Sequence, residues 1–167
     1  MKYPSLTICE QLIFPYIRDR MATEEPAPDY KYETNGTKRL DAVFQLMKRS
    51  DYKGVFGKAA YMFCSVIDSH HFSNGNKRLA VTLLVYVLLV NGYQIHAPNM
   101  EVMRQELNNA FPKLKWQNIQ SFNRPHEYFF YHLALIIADR AQKGKMTFTQ
   151  EQVAVKNLLE VVAVNES

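Results

Sequence analysis

The most constraining feature of the sequence is an apolar run over residues 79–90, with Thr82 as its one clearly polar residue, which directly follows a polar stretch that ends in two adjacent cations. The run is shorter than the roughly 18–20 apolar residues that span a bilayer. Its valines also permit a strand, but its length and the following Asn91-Gly92, a good left-handed helix terminator, favour a helix. We therefore predict a buried helix over residues 77–90.

Apolar residues at helical spacing predict further helices elsewhere in the chain. Pro15 is expected to shorten or kink the first of them, and Pro125 to open the long C-terminal aromatic one. Thr149 with Gln152 is expected to form a capping box at the start of the last helix. The result is an all-α bundle of seven or eight helices. The predicted segments are residues 6–17, 40–47, 55–67, 99–110, 128–140 and 149–164.

The periodicity stops over residues 21–38, and Asn35-Gly36 within that stretch is a strong hairpin-turn signal. Extended residues on either side of it would form a small exposed β-hairpin centred on Thr34, Asn35, Gly36 and Thr37. A simple surface turn explains the same residues equally well. Residues 93–95 are interpreted as a short link, and residues 112–122 remain ambiguous.

Bulk properties set broad limits on function. The 167 residues suit one domain, and the 20 Lys and Arg against 16 Asp and Glu give a net charge of +4. Such a surface suits a nucleotide, nucleic acid or an acidic partner, so charge alone does not decide among them.

Cys9 and Cys64 form neither a disulfide framework nor a metal-site spacing, and we expect a cytoplasmic protein without membrane contact. Nucleic-acid binding is ranked last because a dense basic stripe with interleaved aromatics is lacking.

Residues 70–78, with the sequence HHFSNGNKR, form the one segment with a clear chemical interpretation. A helix N-terminus presents unpaired N–H groups and partial positive charge, so this segment is suited to cradle a phosphate. Gly75 lets the backbone approach an anion, while Lys77 and Arg78 add charge. His70 is placed to accept a proton from a hydroxyl near neutral pH. Together these residues indicate transfer of a phosphorus-containing group to a hydroxyl.

The pattern H-x-F-x-N-G-N-K-R resembles the signature loop of the Fic/Doc (Fido) superfamily, whose broader form is H-P-F-x-[D/E]-G-N-[G/K]-R. Lys77 is similar to the lysine of the Doc (death on curing) toxin branch, whereas the AMP-transferring Fic branch has glycine there. The resemblance covers residues 34–103. It implies a single Fic/Doc-type helical bundle over residues 1–167, with a small β-hairpin flap over residues 34–37 that binds the target. Residues 112–167 would be a C-terminal helical extension.

The resemblance also implies roles for single residues. His70 would be the general base, and Phe72 would hold the loop against the bundle. The phosphate and nucleotide ligands would be Gly75, Asn76, Lys77 and Arg78. An acidic residue normally occupies the position of Asn74 and helps to hold Mg²⁺, so weak metal binding is expected here.

By this analogy the reaction is phosphorylation of a Thr, Ser or Tyr hydroxyl on a target protein, with ATP as the donor and an antitoxin as a possible inhibitor. AMP transfer is one alternative, and a catalytically inactive nucleotide-binding or protein-binding relative, indicated by Asn74, is another. Thr147 and Glu151 match part of an inhibitory-helix pattern found in Fic proteins. A helix cap accounts for them as well.

Overall fold

The computed structural model describes residues 1–22, 26–95, 99–119, 124–139 and 146–166. This part of the chain is mostly helical and carries a small two-stranded antiparallel sheet, which confirms the predicted all-α class with a minor β element. The α-helices are α1 (Leu6–Ile8), α2 (Phe14–Arg20), α3 (Thr34–Leu46), α4 (Gly54–Asp68), α5 (Asn76–Val90), α6 (Asn99–Ala110), α7 (Pro125–Ala138) and α8 (Phe148–Val162). The strands are β1 (Tyr93–Ile95) and β2 (Ala163–Asn165).

The first predicted helix is continuous through Pro15, but its middle is a π-helical turn over Cys9–Ile13. The Phe14 N–H donates to the carbonyl of Cys9 at the end of that turn, and Pro15 lies in the first turn of α2. Proline has no N–H group and its ring crowds the preceding turn, so a widened turn just before it relieves the conflict. α2 ends at Arg20.

The predicted hairpin at Asn35-Gly36 is wrong, because Thr34, Asn35, Gly36 and Thr37 form the first turn of α3. The Thr37 N–H donates to the carbonyl of Glu33 at 3.0 Å, which is a helical bond. Gly36 is buried on the same helix face as Leu40, Val43 and Phe44. It serves close packing here rather than a turn, and short-range sequence signals do not distinguish these two uses of glycine.

The central pair of helices, α4 and α5, agrees closely with prediction. Ten residues of each are buried, and the two helices pack against each other on either side of the loop 69–75. α5 ends at Val90, and Gly92 follows with φ of +85°, as expected of a left-handed terminator. Because the loop joins two mostly buried helices, its own position is tightly constrained.

The two strands lie outside the predicted hairpin. β1, which was interpreted as a link, pairs antiparallel with β2 at the far end of the chain, with Gln94 opposite Val164. Residue 163 was expected to lie in the last helix, but the chain becomes extended there. Strand pairing between segments so distant in sequence depends on where the helices place them, so no local pattern predicts it.

The C-terminal helices pack onto the central pair, α7 against α5 and α8 against α4. The predicted capping box of α8 lies two residues too late, because Thr147 and Gln150 form it instead of Thr149 and Gln152. Thr147 therefore acts as a helix cap, and Glu151 is buried with an exposure of 2%. None of the helices in the described ranges is long and apolar enough to cross a membrane.

Candidate active site

The loop between α4 and α5 bounds a cleft of about 240 Å³. Two residues of this loop have positive φ, His70 at +45° and Gly75 at +69°. Helix α7 closes the other side of the cleft. The described residues that line it are Ile67, His70, Ser73, Asn74, Gly75, Asn76, Lys77, Arg78, Tyr131 and Ala138.

Asn76 fixes the shape of the loop from inside. Its side-chain oxygen accepts the N–H of Phe72 at 3.0 Å, and its side-chain nitrogen donates to the carbonyl of Phe72 at 2.9 Å. Asn76 is 8% exposed, so both bonds are shielded from water. The first residue of α5 thus closes the loop upon itself and leaves its backbone ordered before any ligand arrives.

Phe72 anchors the loop to the core through a small aromatic cluster. Its ring meets Tyr30 edge-on at 5.0 Å between centroids and Phe14 at 6.3 Å, while Phe14 and Tyr30 stack at 4.8 Å. The Tyr30 hydroxyl then donates to the carbonyl of Gly75 at 2.8 Å. A Cβ on Gly75 would lie 2.3 Å from that hydroxyl, so both the positive φ and the close approach require glycine.

Glu33, just before α3, holds the exposed side of the loop. Its two carboxylate oxygens accept the N–H and the hydroxyl of Ser73, each at 2.8 Å. Gly36 packs so closely that a Cβ there would lie 2.6 Å from the carbonyl oxygen of His71 and from the ring of Phe72. The start of α3 and the loop therefore form one contact surface.

Lys77 and Arg78, both predicted phosphate ligands, have different surroundings. Lys77 is half-buried at the cleft, whereas Arg78 is 4% exposed and donates to the carbonyls of Met21 at 3.1 Å and Pro26 at 3.2 Å. The guanidinium thus ties the chain after α2 to α5 while also lining the cleft. A role of Arg78 as a phosphate ligand stays a prediction, because two of its donors already serve carbonyl oxygens.

The two histidines at the start of the loop have opposite environments. His70 is exposed at the cleft, where a hydroxyl substrate can reach it. His71 is 9% exposed, and neither ring nitrogen has a hydrogen-bond partner. Burial, reinforced by the charge of Arg39, lowers the pKa of His71, so this ring is neutral at pH 7.

Asn74 is exposed at the cleft and is the predicted metal ligand. No carboxylate stands among the described residues that line the cleft, and no cluster of three acidic, His or Cys side chains occurs within the described ranges. Mg²⁺ prefers carboxylate oxygens together with waters and substrate phosphates. The side chains present do not fit a metal held by the protein, so Mg²⁺ binding at Asn74 stays a prediction.

Sequence reasoning missed several residues that shape the cleft. Tyr30 and Glu33 lie in a stretch without periodicity, and Tyr131 and Ala138 of α7 lie in the predicted extension. Tyr30 and Glu33 gave no sequence signal beyond their chemical type, because they lie about 40 residues before the loop that they contact. α7 is positioned in part by a hydrogen bond from the Tyr16 hydroxyl of α2 to the buried carboxylate of Glu127.

Residues 12–88 match the model of the Fic/DOC family. The match runs from the end of the π-helical turn through α5 and includes the whole loop, Glu33 and Tyr30. It supports the Fic/Doc superfamily and, at that coarse level, a transferase acting on proteins. No curated protein and no solved structure shows significant similarity to the chain. The matched segment thus contains the cleft except for the wall contributed by α7.

Proposed function

We propose that this chain, which matches the Fic/DOC family over residues 12–88, transfers the γ-phosphate of ATP to a Ser, Thr or Tyr hydroxyl of a target protein, as a Doc-like toxin whose partner is an antitoxin. The observation that carries the proposal is Lys77, in the position where the AMP-transferring branch has glycine, at the N-terminal turn of α5 and beside the cleft. A cation at that position stabilises charge on the transferring phosphoryl group.

In the proposed reaction His70 takes the proton of the acceptor hydroxyl as the new P–O bond forms and the bond to ADP breaks. The exposed position of His70 supports this role, because an acceptor has to reach it from outside. Lys77 and the N–H groups at the start of α5 stabilise the phosphate charge. No step is assigned to a metal ion.

Asn74 supports a second candidate, a nucleotide-binding or protein-binding relative without catalysis. Its neutral amide stands where the family has an acidic residue, at a cleft whose described lining has no carboxylate. In this candidate the ordered loop still binds phosphate, but no group is transferred.

An incubation of the purified chain with a bacterial lysate and ATP, labelled at either the α or the γ phosphate, separates these candidates. We expect γ label on a protein band. The rate of label transfer should fall by about 100-fold or more in His70→Ala, which is the usual contribution of a general base. ATP affinity, measured by calorimetry, should stay within about twofold in that variant, since His70 touches the acceptor rather than the phosphates. Transfer of α label would establish AMP transfer instead, and ATP binding without His70-dependent label would favour the binding protein.

Asn74→Asp provides the metal test. Restoring the acidic residue should make transfer depend more steeply on Mg²⁺ concentration, because a carboxylate is a better ligand than an amide for a hard cation. An unchanged metal titration would show that position 74 does not contact the ion.

A further inference from the structure

The net charge of the chain is concentrated in one segment. Residues 31–58 contain seven of the 20 Lys and Arg but three of the 16 Asp and Glu, a net charge of +4, whereas the rest of the chain has thirteen of each. This segment holds α3 and the start of α4. The mildly basic character of the protein is therefore a local property of the surface around α3, and a local field of this kind selects partners of opposite charge.

Five exposed side chains at helical spacing on α3 define what we call the α3 face: Asn35, Lys38, Arg39, Ala42 and Leu46. Lys38 and Arg39 have no hydrogen-bond or ion-pair partner within the described part of the chain. Leu46 is 43% exposed although it is a large apolar side chain. The face thus combines unpaired cations with exposed apolar atoms, a mixture common at protein-binding surfaces.

Other cations of the segment are already engaged. Arg49 pairs with Asp51 at 2.6 Å, and Lys58 donates to the carbonyls of Met47 and Arg49 at the end of α3. Lys48 lies over the ring of Tyr3 at 5.4 Å. Lys53, just before α4, is also exposed and without a partner among the described residues, but on α3 itself the cations are Lys38 and Arg39, and the charge of both is offered to a partner.

The α3 face begins at the cleft. Glu33 and Gly36, in the turn that starts α3, contact Ser73 and the backbone of His71, and Ser73 lines the cleft together with His70. A segment lying along α3 therefore has one end at the proposed base. Arg39 is close enough to the loop for its charge to act on His71.

We propose that the α3 face binds an acidic segment of the acceptor protein and so places its hydroxyl beside His70. The inference rests on the proposed function for the reaction, but the binding it predicts needs no nucleotide. Lys38 and Arg39 pair with the carboxylates, and Ala42 with Leu46 contacts apolar side chains of the same segment. None of the five residues of the face is aromatic, which favours a protein partner over a nucleic acid. The exposed ring of Tyr32 lies before α3 and already has the Lys31 ammonium over it at 5.2 Å.

The test uses a labelled peptide in which Glu alternates with Leu around a single Thr, and a matched peptide with Gln at every Glu position. Affinity is measured by fluorescence anisotropy without nucleotide. The double charge reversal Lys38→Glu with Arg39→Glu is compared with Lys113→Glu and Lys115→Glu, which change the net charge equally at exposed positions between α6 and α7. Thermal unfolding of each variant establishes that it is folded.

We expect the α3 variant to weaken binding of the Glu peptide by at least about tenfold and the control variant by less than about twofold. The Gln peptide should bind the unaltered protein weakly. An equal loss in both variants would overturn the proposal, since only net charge would then matter. So would tighter, Lys38- and Arg39-dependent binding of a single-stranded oligonucleotide, which would assign the face to nucleic acid.

The same peptide with γ-labelled ATP separates the two proposals. If the Glu peptide binds through the α3 face but no label reaches its Thr, the proposed reaction fails while the binding surface stands. If label reaches the Thr equally well in the α3 variant and in the control variant, the surface proposal fails while the reaction stands.

Discussion

The two halves of the loop between α4 and α5 differ in how their polar groups are satisfied. From Phe72 onward, backbone groups are bonded to the side chains of Asn76, Glu33 and Tyr30. In the first half, the His71 ring is buried without a hydrogen-bond partner, and His70 has positive φ. Unsatisfied groups and strained backbone are costly, and proteins retain them mostly at functional sites.

The difference indicates that the two halves of the loop have different roles. The bonded half is ordered in advance, as a phosphate cradle has to be if binding is not to cost additional ordering entropy. The first half carries the proposed base at an exposed position beside the cleft, where an acceptor can reach it. Substitutions that disturb one half and leave the other intact test this division.

The largest effect is expected at Gly36, which contacts both halves. Gly36→Ala places a methyl group 2.6 Å from the His71 carbonyl and the Phe72 ring, so the loop or α3 must move. We expect a loss of about 3 kcal/mol in the free energy of unfolding, measured with urea. Gly57→Ala is the matched control. Its nearest contact is 3.5 Å, so alanine should instead stabilise α4 by about 0.5–1 kcal/mol. Similar stabilities for the two variants would contradict the close packing.

Asn76→Ala removes both bonds to Phe72 and leaves a buried N–H and a buried carbonyl unsatisfied. The expected cost is about 2–3 kcal/mol of unfolding free energy, together with weaker ATP binding. Asn74→Ala, an exposed neighbour in the same loop, should cost less than about 0.5 kcal/mol. Equal costs at the two asparagines would show that the loop is not held from inside.

Glu33→Ala tests the outer attachment of the bonded half. The Ser73 N–H and hydroxyl lose their acceptor, but both can bond to water, so we expect a loss of about 1 kcal/mol. The Ser73 amide should exchange faster with deuterium. Asp41→Ala, which removes the same charge from α3, should leave that exchange unchanged. Unaltered protection of Ser73 in Glu33→Ala would argue against the contact.

The smallest effect is expected at His71. The substitution His71→Leu removes two ring nitrogens that have no hydrogen-bond partner. The free energy of unfolding at pH 7.5 should therefore change by less than about 1 kcal/mol. His132→Leu is the matched control. That buried ring accepts the Gln117 N–H and bonds to the Tyr128 carbonyl, each at 2.9 Å, so its loss should cost about 2 kcal/mol.

The two histidines also predict the pH dependence of stability. Burial lowers the pKa of both below the value in the unfolded chain, so the unfolded state binds more protons as the pH falls. The contribution of these two histidines to stability is therefore largest above about pH 6.5, the ordinary histidine pKa, and decreases toward pH 5. Each leucine variant should flatten this decrease, which urea unfolding at several pH values measures. A slope unchanged by His71→Leu would contradict the lowered pKa.

The sequence alone determined the elements whose signals are local. α4 and α5 follow from unbroken apolar periodicity, and the end of α5 follows from Asn91-Gly92. The loop motif was recognisable without any structure, and His70, Asn74, Gly75 and Lys77 of that motif line the cleft. The chemical roles assigned to them stay predictions. These signals held because the apolar residues that carry them are the ones that α4 and α5 bury.

Only the tertiary structure decided what holds that loop. Glu33 and Ser73 are 40 residues apart in sequence, and Tyr30 and Gly75 are 45 apart. The same packing turned Asn35-Gly36 from an expected hairpin into the first turn of α3, because Gly36 fits against Phe72. Contacts of this range depend on how buried helices pack, and burial outweighs the local turn preference that the sequence displays.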